Sequence, residues 1–197
     1  MTTQQVLMGQ GAVIVAHPDD ECLWASAVFG CKPGTHAICC TIPRKDPERI
    51  AWFALACAEL GAVPLVVPVV EPAADEPLDH LSLLQLEDMK YDWVVTHNER
   101  GEYGHRHHQD VHWYVRDHAP RGARVFAFGY GLPAEGPRIT MHVDMDFKLR
   151  ALRKYNHTSK TDTAPKWQAL LSRYPGTDRE SLVPVSARPW CRPLDRS

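Results

Sequence analysis

The sequence predicts an α/β protein in which a mostly parallel sheet carries helices on both faces. The first observation is that short apolar runs typical of buried strands alternate with segments of helical periodicity. The second is the length of 197 residues, which suits a single domain with a sizeable core. The third is a composition of 44% hydrophobic and 23% charged residues, which is ordinary for a globular protein.

Each predicted strand is a short run of apolar residues that ends at a turn or a polar loop. The strands are predicted at residues 11–16, 35–42, 63–70, 91–96, 123–128 and 138–143. Pro64 and Pro68 interrupt the third run, so that strand is expected to be short or near an edge of the sheet.

The predicted helices lie between these runs and after the last of them. They are predicted at residues 20–29, 48–60, 78–89, 105–118, 145–155 and 166–174. The first begins with acidic residues, which suit the positive end of the helix dipole. Asp46 and Pro47 favour the start of the second, and Gly61 favours its end. The segment beyond the last helix is rich in proline and arginine.

Composition and termini narrow the class of protein. The net charge is −2 and no block of Lys or Arg stands out, so nothing points to nucleic acid or an anionic membrane as a partner. Residues 1–10 lack the pattern of a signal peptide, and no apolar run approaches the roughly 20 residues that span a bilayer. The six cysteines form no Cys-x-x-Cys pair and are expected to be reduced and buried, which suits a cytoplasmic location.

Two polar stretches that follow predicted strands carry the chemistry. Residues 17–21, His-Pro-Asp-Asp-Glu, follow the first strand, and residues 101–108, Gly-Glu-Tyr-Gly-His-Arg-His-His, follow the fourth. Acids at the end of a buried strand are costly unless they are paired or bind a metal. Because parallel strands end at the same edge of a sheet, where open α/β sheets bind ligands, the two stretches are expected to meet.

We expect His17 and Asp20 to hold a divalent metal. A catalytic zinc takes about three protein ligands and keeps a position for water, whose pKa it lowers to roughly 7. Asp19 is expected to act as the general base on that water.

The third ligand is expected among the histidines of the second stretch and the helix it begins. His105 and His108 are three residues apart, and His108 and His112 are four apart, so each pair shares a helix face. Spacing alone leaves all three histidines open.

Three further residues at strand ends are candidate substrate contacts: Arg44, His97 and Asn98. For Arg44 the alternative is an ordinary solvated loop charge. For His97, lining the pocket and capping the strand end are equally good interpretations.

Together the two stretches resemble the motifs of the LmbE-like or PIG-L family of zinc-dependent N-deacetylases. The resemblance runs from residue 11 to about residue 160. It implies a single-domain, Rossmann-like α/β fold and removal of an N-acetyl or other acyl group from an amino sugar or its conjugate. The expected division of the chain is then an N-terminal extension (1–10), the deacetylase domain (11–160) and a C-terminal helix and tail packed on it (161–197).

The resemblance also implies a role for each matching residue. The metal ligands are His17, Asp20 and His108. Asp19 is the general base. His105 stands beside the developing oxyanion, as a donor or as the acid for the leaving amine, and Tyr103 is a mobile donor to the same oxygen.

Arg106 and His107 depart from the pattern, because the family usually has Pro-Asp at these two positions. The departure leaves the ligand His108 in place but replaces an acidic neighbour and adds a cation. His107 is expected to face away from His105 and His108, toward solvent or an outer layer of the site.

The sequence leaves more than one interpretation for the identity of the metal and for the reaction. Zn²⁺ is expected, with Fe²⁺ or Mn²⁺ possible, because a His and Asp site does not separate them. The partner is expected to be a small N-acetylated sugar or glycoconjugate. The other interpretations are a metal-dependent hydrolase of another amide or an ester, and a non-catalytic carbohydrate-binding member of the fold.

Overall fold

A sheet of seven strands organises the part of the chain that the structure, a computed structural model, describes: residues 3–79, 90–156 and 179–186. The strands are β1 (Gly11–Val15), β2 (His36–Cys39), β3 (Val63–Val66), β4 (Trp93–Thr96), β5 (Arg124–Phe128), β6 (Ile139–His142) and β7 (Arg179–Val185). Their order is β3-β2-β1-β4-β5-β7-β6. The first five are parallel, and β7 runs antiparallel to both β5 and β6. The predicted α/β class with a mostly parallel sheet is therefore confirmed.

The helices cover both faces of this sheet. They are α1 (Thr3–Val6), α2 (Asp20–Cys31), α3 (Arg49–Leu60), α4 (Gly101–Gly104), α5 (Arg106–His118) and α6 (Met145–Leu152), with a 3₁₀ turn at Arg153–Asn156. Alternate residues of β1 separate two cores: Val13 and Val15 pack with α2, α3 and α6, whereas Ala12 and Ile14 pack with α5. The periodicity of two along the strand thus divides the apolar side chains between the layers. No helix of the described ranges is long and apolar enough to cross a membrane.

Several local predictions differ from the structure. The C-terminal segment provides β7, which the sequence analysis treated as part of the tail. Leu182 of this strand is fully buried and pairs with Phe128 of β5 and Ile139 of β6. Cys31 is exposed rather than buried, while four other cysteines are buried. The predicted helix at 166–174 and residues 80–89 of the helix predicted at 78–89 lie outside the described residues.

The N-terminal extension packs against the rest of the domain. Its residues Val6 and Leu7 are buried in the same core as Val13 and Val15 of β1.

The strand order places the two polar stretches side by side. β1 and β4 are adjacent and parallel, with Ile14 opposite Thr96. Beyond β1 the chain adds β2 and β3 on one side, and β4 and β5 lie on the other. The crevice between β1 and β4 is therefore the switch point at which doubly wound sheets bind ligands.

Candidate metal centre

Three side-chain atoms form a triangle at the carboxyl ends of β1 and β4. Nδ1 of His17, Oδ2 of Asp20 and Nε2 of His108 lie 3.3 Å from one another along all three edges. All three residues are buried. An ion held tetrahedrally by bonds of about 2.0–2.1 Å keeps its ligand atoms about 3.3–3.4 Å apart. The triangle therefore fits a divalent metal, and its donor set of two imidazoles and a carboxylate suits such an ion.

The turn between β1 and α2 presents these ligands through a strained backbone. Asp19 has φ 106°, in the left-handed region that a non-glycine residue rarely adopts. The backbone N–H of His17 donates to Oδ2 of Asp20 at 2.9 Å. The backbone N–H of Asp19 donates to Oε2 of Glu21 at 2.9 Å, and the Tyr155 hydroxyl donates to Oε1 of Glu21 at 2.5 Å. Glu21 thus holds the turn between β1 and α2 in place.

The charges of the site depend strongly on one another. Burial works against ionisation of Asp20, but its contacts with His108, His17 and His97 hold the pKa of its carboxyl well below the usual value. Burial also opposes a charged His108, yet the carboxylates of Asp20 and Glu102 raise its pKa to about 10. The site therefore holds a strong local negative potential, which favours a cation.

Glu102 supports the third corner of the triangle from behind. Its Oε2 lies 2.7 Å from Nδ1 of His108 and 2.8 Å from Nδ1 of His97, and its Oε1 accepts from the backbone N–H of Asn98 at 2.9 Å. A carboxylate acceptor keeps a hydrogen of His108 on Nδ1, so Nε2 is the nitrogen through which a metal, in place of a proton, would be bound. Glu102 itself has φ 55°, and Gly131 is needed beside it because a Cβ there would lie 2.4 Å from the Glu102 carbonyl oxygen.

The candidate substrate contacts at the end of β4 are enclosed by protein. His97 is fully buried: its Nε2 accepts from the backbone N–H of Ala16 at 2.9 Å, and its ring stacks on His108 with centroids 3.8 Å apart. Asn98 is fully buried, and its Nδ2 donates to the carbonyl oxygens of Phe128 and Tyr130. These contacts tie β1, β4 and β5 together beneath the site. A substrate-binding role for the two residues stays a prediction.

Asp19 points to a different partner from Asp20. Its side chain is 23% exposed, and its Oδ2 accepts from Nη2 of Arg49 at 2.7 Å. Arg49 also donates to the Pro18 carbonyl oxygen, so one guanidinium spans the turn. Burial raises the pKa of Asp19 to about 8, against the opposing charge of Arg49 and with the help of neighbouring Asp20. A carboxyl group that titrates near neutral pH suits proton transfer.

The expected oxyanion partners stand on the open side of the triangle. The ring of His105 lies 4.7 Å from the rings of both His17 and His108, measured between centroids. Its buried Nδ1 has no hydrogen-bond partner among the described residues. Burial and the nearby histidines His17, His108 and His107 lower the pKa of His105 to about 3, so the ring is neutral. Tyr103 is 50% exposed, with its ring 5.3 Å from that of His108.

The two remaining candidates lie further from the triangle. His112 is buried one turn along α5, and its Nδ1 donates to the His97 carbonyl oxygen at 2.8 Å. Arg44 is exposed in the loop after β2. Of the three histidines that spacing left open, the structure thus places His108 in the triangle, His105 beside it and His112 behind the end of β4.

A cavity of about 620 Å³ adjoins the site on the side of β5 and β7. Its walls include the aromatic side chains of Trp24, Tyr103, Phe128 and Tyr130. Trp24 links it to the triangle, because its Nε1 donates to Oδ1 of Asp20 at 3.3 Å.

Sequence reasoning missed the supporting roles of Arg49 and Glu102. Glu102 is part of the 101–108 stretch, and Arg49 lies at the start of the helix predicted at 48–60. The sequence around these two residues does not indicate which side chains they contact. The partner of Arg49 is distant in the chain, and the contacts of Glu102 depend on a strained backbone. Hydrophobic periodicity predicts neither feature.

Replacement of Arg49 by methionine is expected to lower kcat by about 10- to 100-fold without weakening metal binding. The variant removes the donor that fixes Asp19, and a hydrogen bond to a charged group contributes about 1.5–3 kcal/mol. Steady-state kinetics and metal titration measure the two quantities. R150M is the matched control, because Arg150 makes an exposed ion pair with Glu59 away from the site. A loss of metal by R49M would contradict this assignment.

The fold and the triangle define a class: α/β proteins with a potential divalent-metal site at the switch point of the sheet. Among solved structures, N,N'-diacetylchitobiose deacetylase from Pyrococcus horikoshii shares the fold with a TM-score of 0.72 and 12% identity, over 95% of this chain and 88% of its own. The deacetylase of the A40926 pseudoaglycone shares it with a TM-score of 0.57 and 13% identity, over 91% and 98%.

An enzyme with another activity has the same fold. The 4-carboxy-2-hydroxymuconate hydratase from Pseudomonas putida KT2440 matches with a TM-score of 0.56 and 15% identity, over 94% of this chain and 100% of its own. No family model matches the chain, and no sequence match to a curated protein is significant. The structural similarities therefore confirm the Rossmann-like fold that the resemblance implied, and the activity has to be argued from the site.

Proposed function

We propose that this protein is a metal-dependent N-deacetylase that acts on an N-acetylated amino sugar or its conjugate. The observation that carries the proposal is the triangle of His17, Asp20 and His108, with a further carboxylate, Asp19, beside it. A site of purely structural metal would not need that additional carboxylate. The deacetylases that share the fold support the choice of reaction.

A divalent metal in the triangle would supply a Lewis acid and make water nucleophilic near neutral pH. We propose zinc, since two histidines and one carboxylate suit a catalytic zinc site. Asp19, held by Arg49, accepts the proton of the attacking water. His105 and Tyr103 stabilise the carbonyl oxygen as it gains negative charge. The proton held by Asp19 then passes to the departing amine.

The substrate class follows from the surroundings of the site. The aromatic walls of the adjoining cavity suit a sugar ring or an apolar part of a conjugate. We also propose a cytoplasmic location, because the cysteines of the described ranges are free thiols.

Acetate release tests the proposal. The metal-free protein, loaded with zinc, iron(II) or manganese(II) in turn, is expected to release acetate from at least one member of a panel of N-acetylhexosamines and their lipid, thiol and glycopeptide conjugates. Removal of the metal by a chelator should abolish the activity, and readdition should restore it. The same preparations are assayed with three comparison substrates: esters, other amides, and an unsaturated dicarboxylate that tests for hydratase activity. Turnover of the comparison substrates alone, with no acetate release, would contradict the deacetylase assignment.

A further inference from the structure

His107 contacts the edge of the His17 ring that points away from the triangle. Its Nδ1 is 3.0 Å from Nε2 of His17. Its Nε2 is 3.2 Å from the carbonyl oxygen of Ala73 and 3.1 Å from that of Glu76, in the loop that follows β3. The side chain is fully buried rather than turned toward solvent. It therefore belongs to an outer layer of the site, one of the two places the sequence analysis allowed.

These contacts fix where the hydrogens lie. Carbonyl oxygens only accept, so Nε2 of His107 carries a hydrogen, and in the tautomer with that single hydrogen Nδ1 is an acceptor. The facing Nε2 of His17 must then be the donor. A neutral His17 with its hydrogen on Nε2 has a lone pair on Nδ1, which is the atom at the corner of the triangle.

We propose that His107 is a positioning residue: it accepts the Nε2 hydrogen of His17, holds that ring in the tautomer that ligates through Nδ1, and ties the ligand to the loop at residues 73–76. The inference rests on the metal site of the proposed function. It assigns a use to one of the two positions where the chain departs from the Pro-Asp of the family it resembles. Arg106, the other position, pairs with Asp110 along α5.

A competing partner for His17 exists in the same loop. Oε1 of Glu71 lies 3.4 Å from Nε2 of His17, slightly further than the nitrogen of His107. A carboxylate acceptor would make the imidazole ligand more basic than a neutral one does. The shorter contact and the fixed tautomer of His107 favour the neutral acceptor, and variants at both positions separate the two.

Two amide variants separate the acceptor function of His107 from its donor function. In H107N the amide oxygen can take the place of Nδ1 and keep the acceptor, while the donor to the loop is lost. In H107Q the amide nitrogen can take the place of Nε2 and keep the loop contact, while the acceptor is lost. Metal titration of the metal-free proteins is expected to give H107N a zinc Kd within about 3-fold of wild type and H107Q a Kd about 10- to 100-fold weaker.

The outcomes separate this inference from the proposed function. Wild-type affinity in H107Q, or a greater loss in H107N, would show that His107 only fills space or anchors the loop, and would overturn the inference. A loss of affinity in E71Q with none in H107Q would assign the role to Glu71 and also overturn it. Tight zinc binding with no acetate release from any substrate would overturn the deacetylase assignment and leave the positioning role intact.

A measurement on the wild-type protein covers the case in which a variant fails to fold. Nitrogen NMR of the histidine rings in the metal-free protein reports the tautomer of each. His17 is expected with its hydrogen on Nε2 and His107 likewise. A His17 ring that carries its hydrogen on Nδ1 would overturn the inference.

Discussion

Replacement of Asp19 by asparagine is expected to lower kcat by about 100- to 10,000-fold, the range that loss of a general base covers, while the metal stays bound. The amide keeps the size of the side chain but cannot take the proton of the attacking water. Because Asp19 pairs with Arg49 rather than with a corner of the triangle, its loss should leave the ligand atoms in place. Steady-state kinetics and metal analysis of the same preparation measure both effects.

The neighbouring carboxylate supplies the matched control. D20N makes the same chemical change one residue later, but it alters a corner of the triangle and is expected to lose metal together with activity. Opposite metal contents in two adjacent isosteric variants would be hard to explain by a general loss of stability. If D19N retained more than about a tenth of wild-type kcat, or if it lost metal as D20N does, the division of roles between the two residues would be wrong.

The backbone frame of the site could be predicted because it depends on local pattern. The apolar run before His17 and the one before His97 predict buried parallel strands, and in the structure β1 and β4 are parallel and also adjacent. Once two such strands end at one edge of a sheet, their polar extensions must meet there. The proximity of His17, Asp20 and His108 follows from that topology together with the motif resemblance.

The rest of the site depends on contacts between residues distant in the chain or on strain. Nothing local indicates that His107 would turn toward His17, 90 residues earlier, rather than toward solvent. The left-handed φ values of Asp19 and Glu102 are stable only because the surrounding contacts determine them. β7 was missed for a similar reason: Pro184 weakens its strand pattern, and its partners in β5 and β6 lie far away in sequence.

The fold alone does not select the chemistry. A hydratase and two deacetylases share it with this chain at 12% to 15% identity. What separates the possible reactions is the arrangement at the switch point: a triangle of possible metal ligands in a negative potential, an additional carboxylate held by Arg49, and neutral His105 on the open side. Hydrolysis of an amide needs a nucleophilic water, a base and a donor to the carbonyl oxygen, and this arrangement provides a candidate for each.

Replacement of His108 by alanine is expected to abolish zinc binding at micromolar metal and, with it, acetate release. His108 supplies one corner of the triangle, and its loss should cost more than the roughly 10- to 100-fold in affinity that loss of an outer partner costs. Thermal unfolding gives a readout that is independent of activity. Zinc at 100 times its Kd stabilises the wild type by about 2.7 kcal/mol, or roughly 5–10 °C in Tm for a chain of this size. H108A should show almost none of this shift.

H112A is the control for this variant, because spacing made His112 an equal candidate for the third ligand. Its Nδ1 donates to the His97 carbonyl oxygen, so its loss should lower the Tm of the metal-free protein and leave the zinc-induced shift within about 2 °C of wild type. The two histidines lie one turn apart on α5 and both are buried, so the substitutions remove the same atoms from similar surroundings. A zinc-induced shift that disappears in H112A and persists in H108A would move the metal away from the triangle, and the assignment of Asp19 as the base would fall with it.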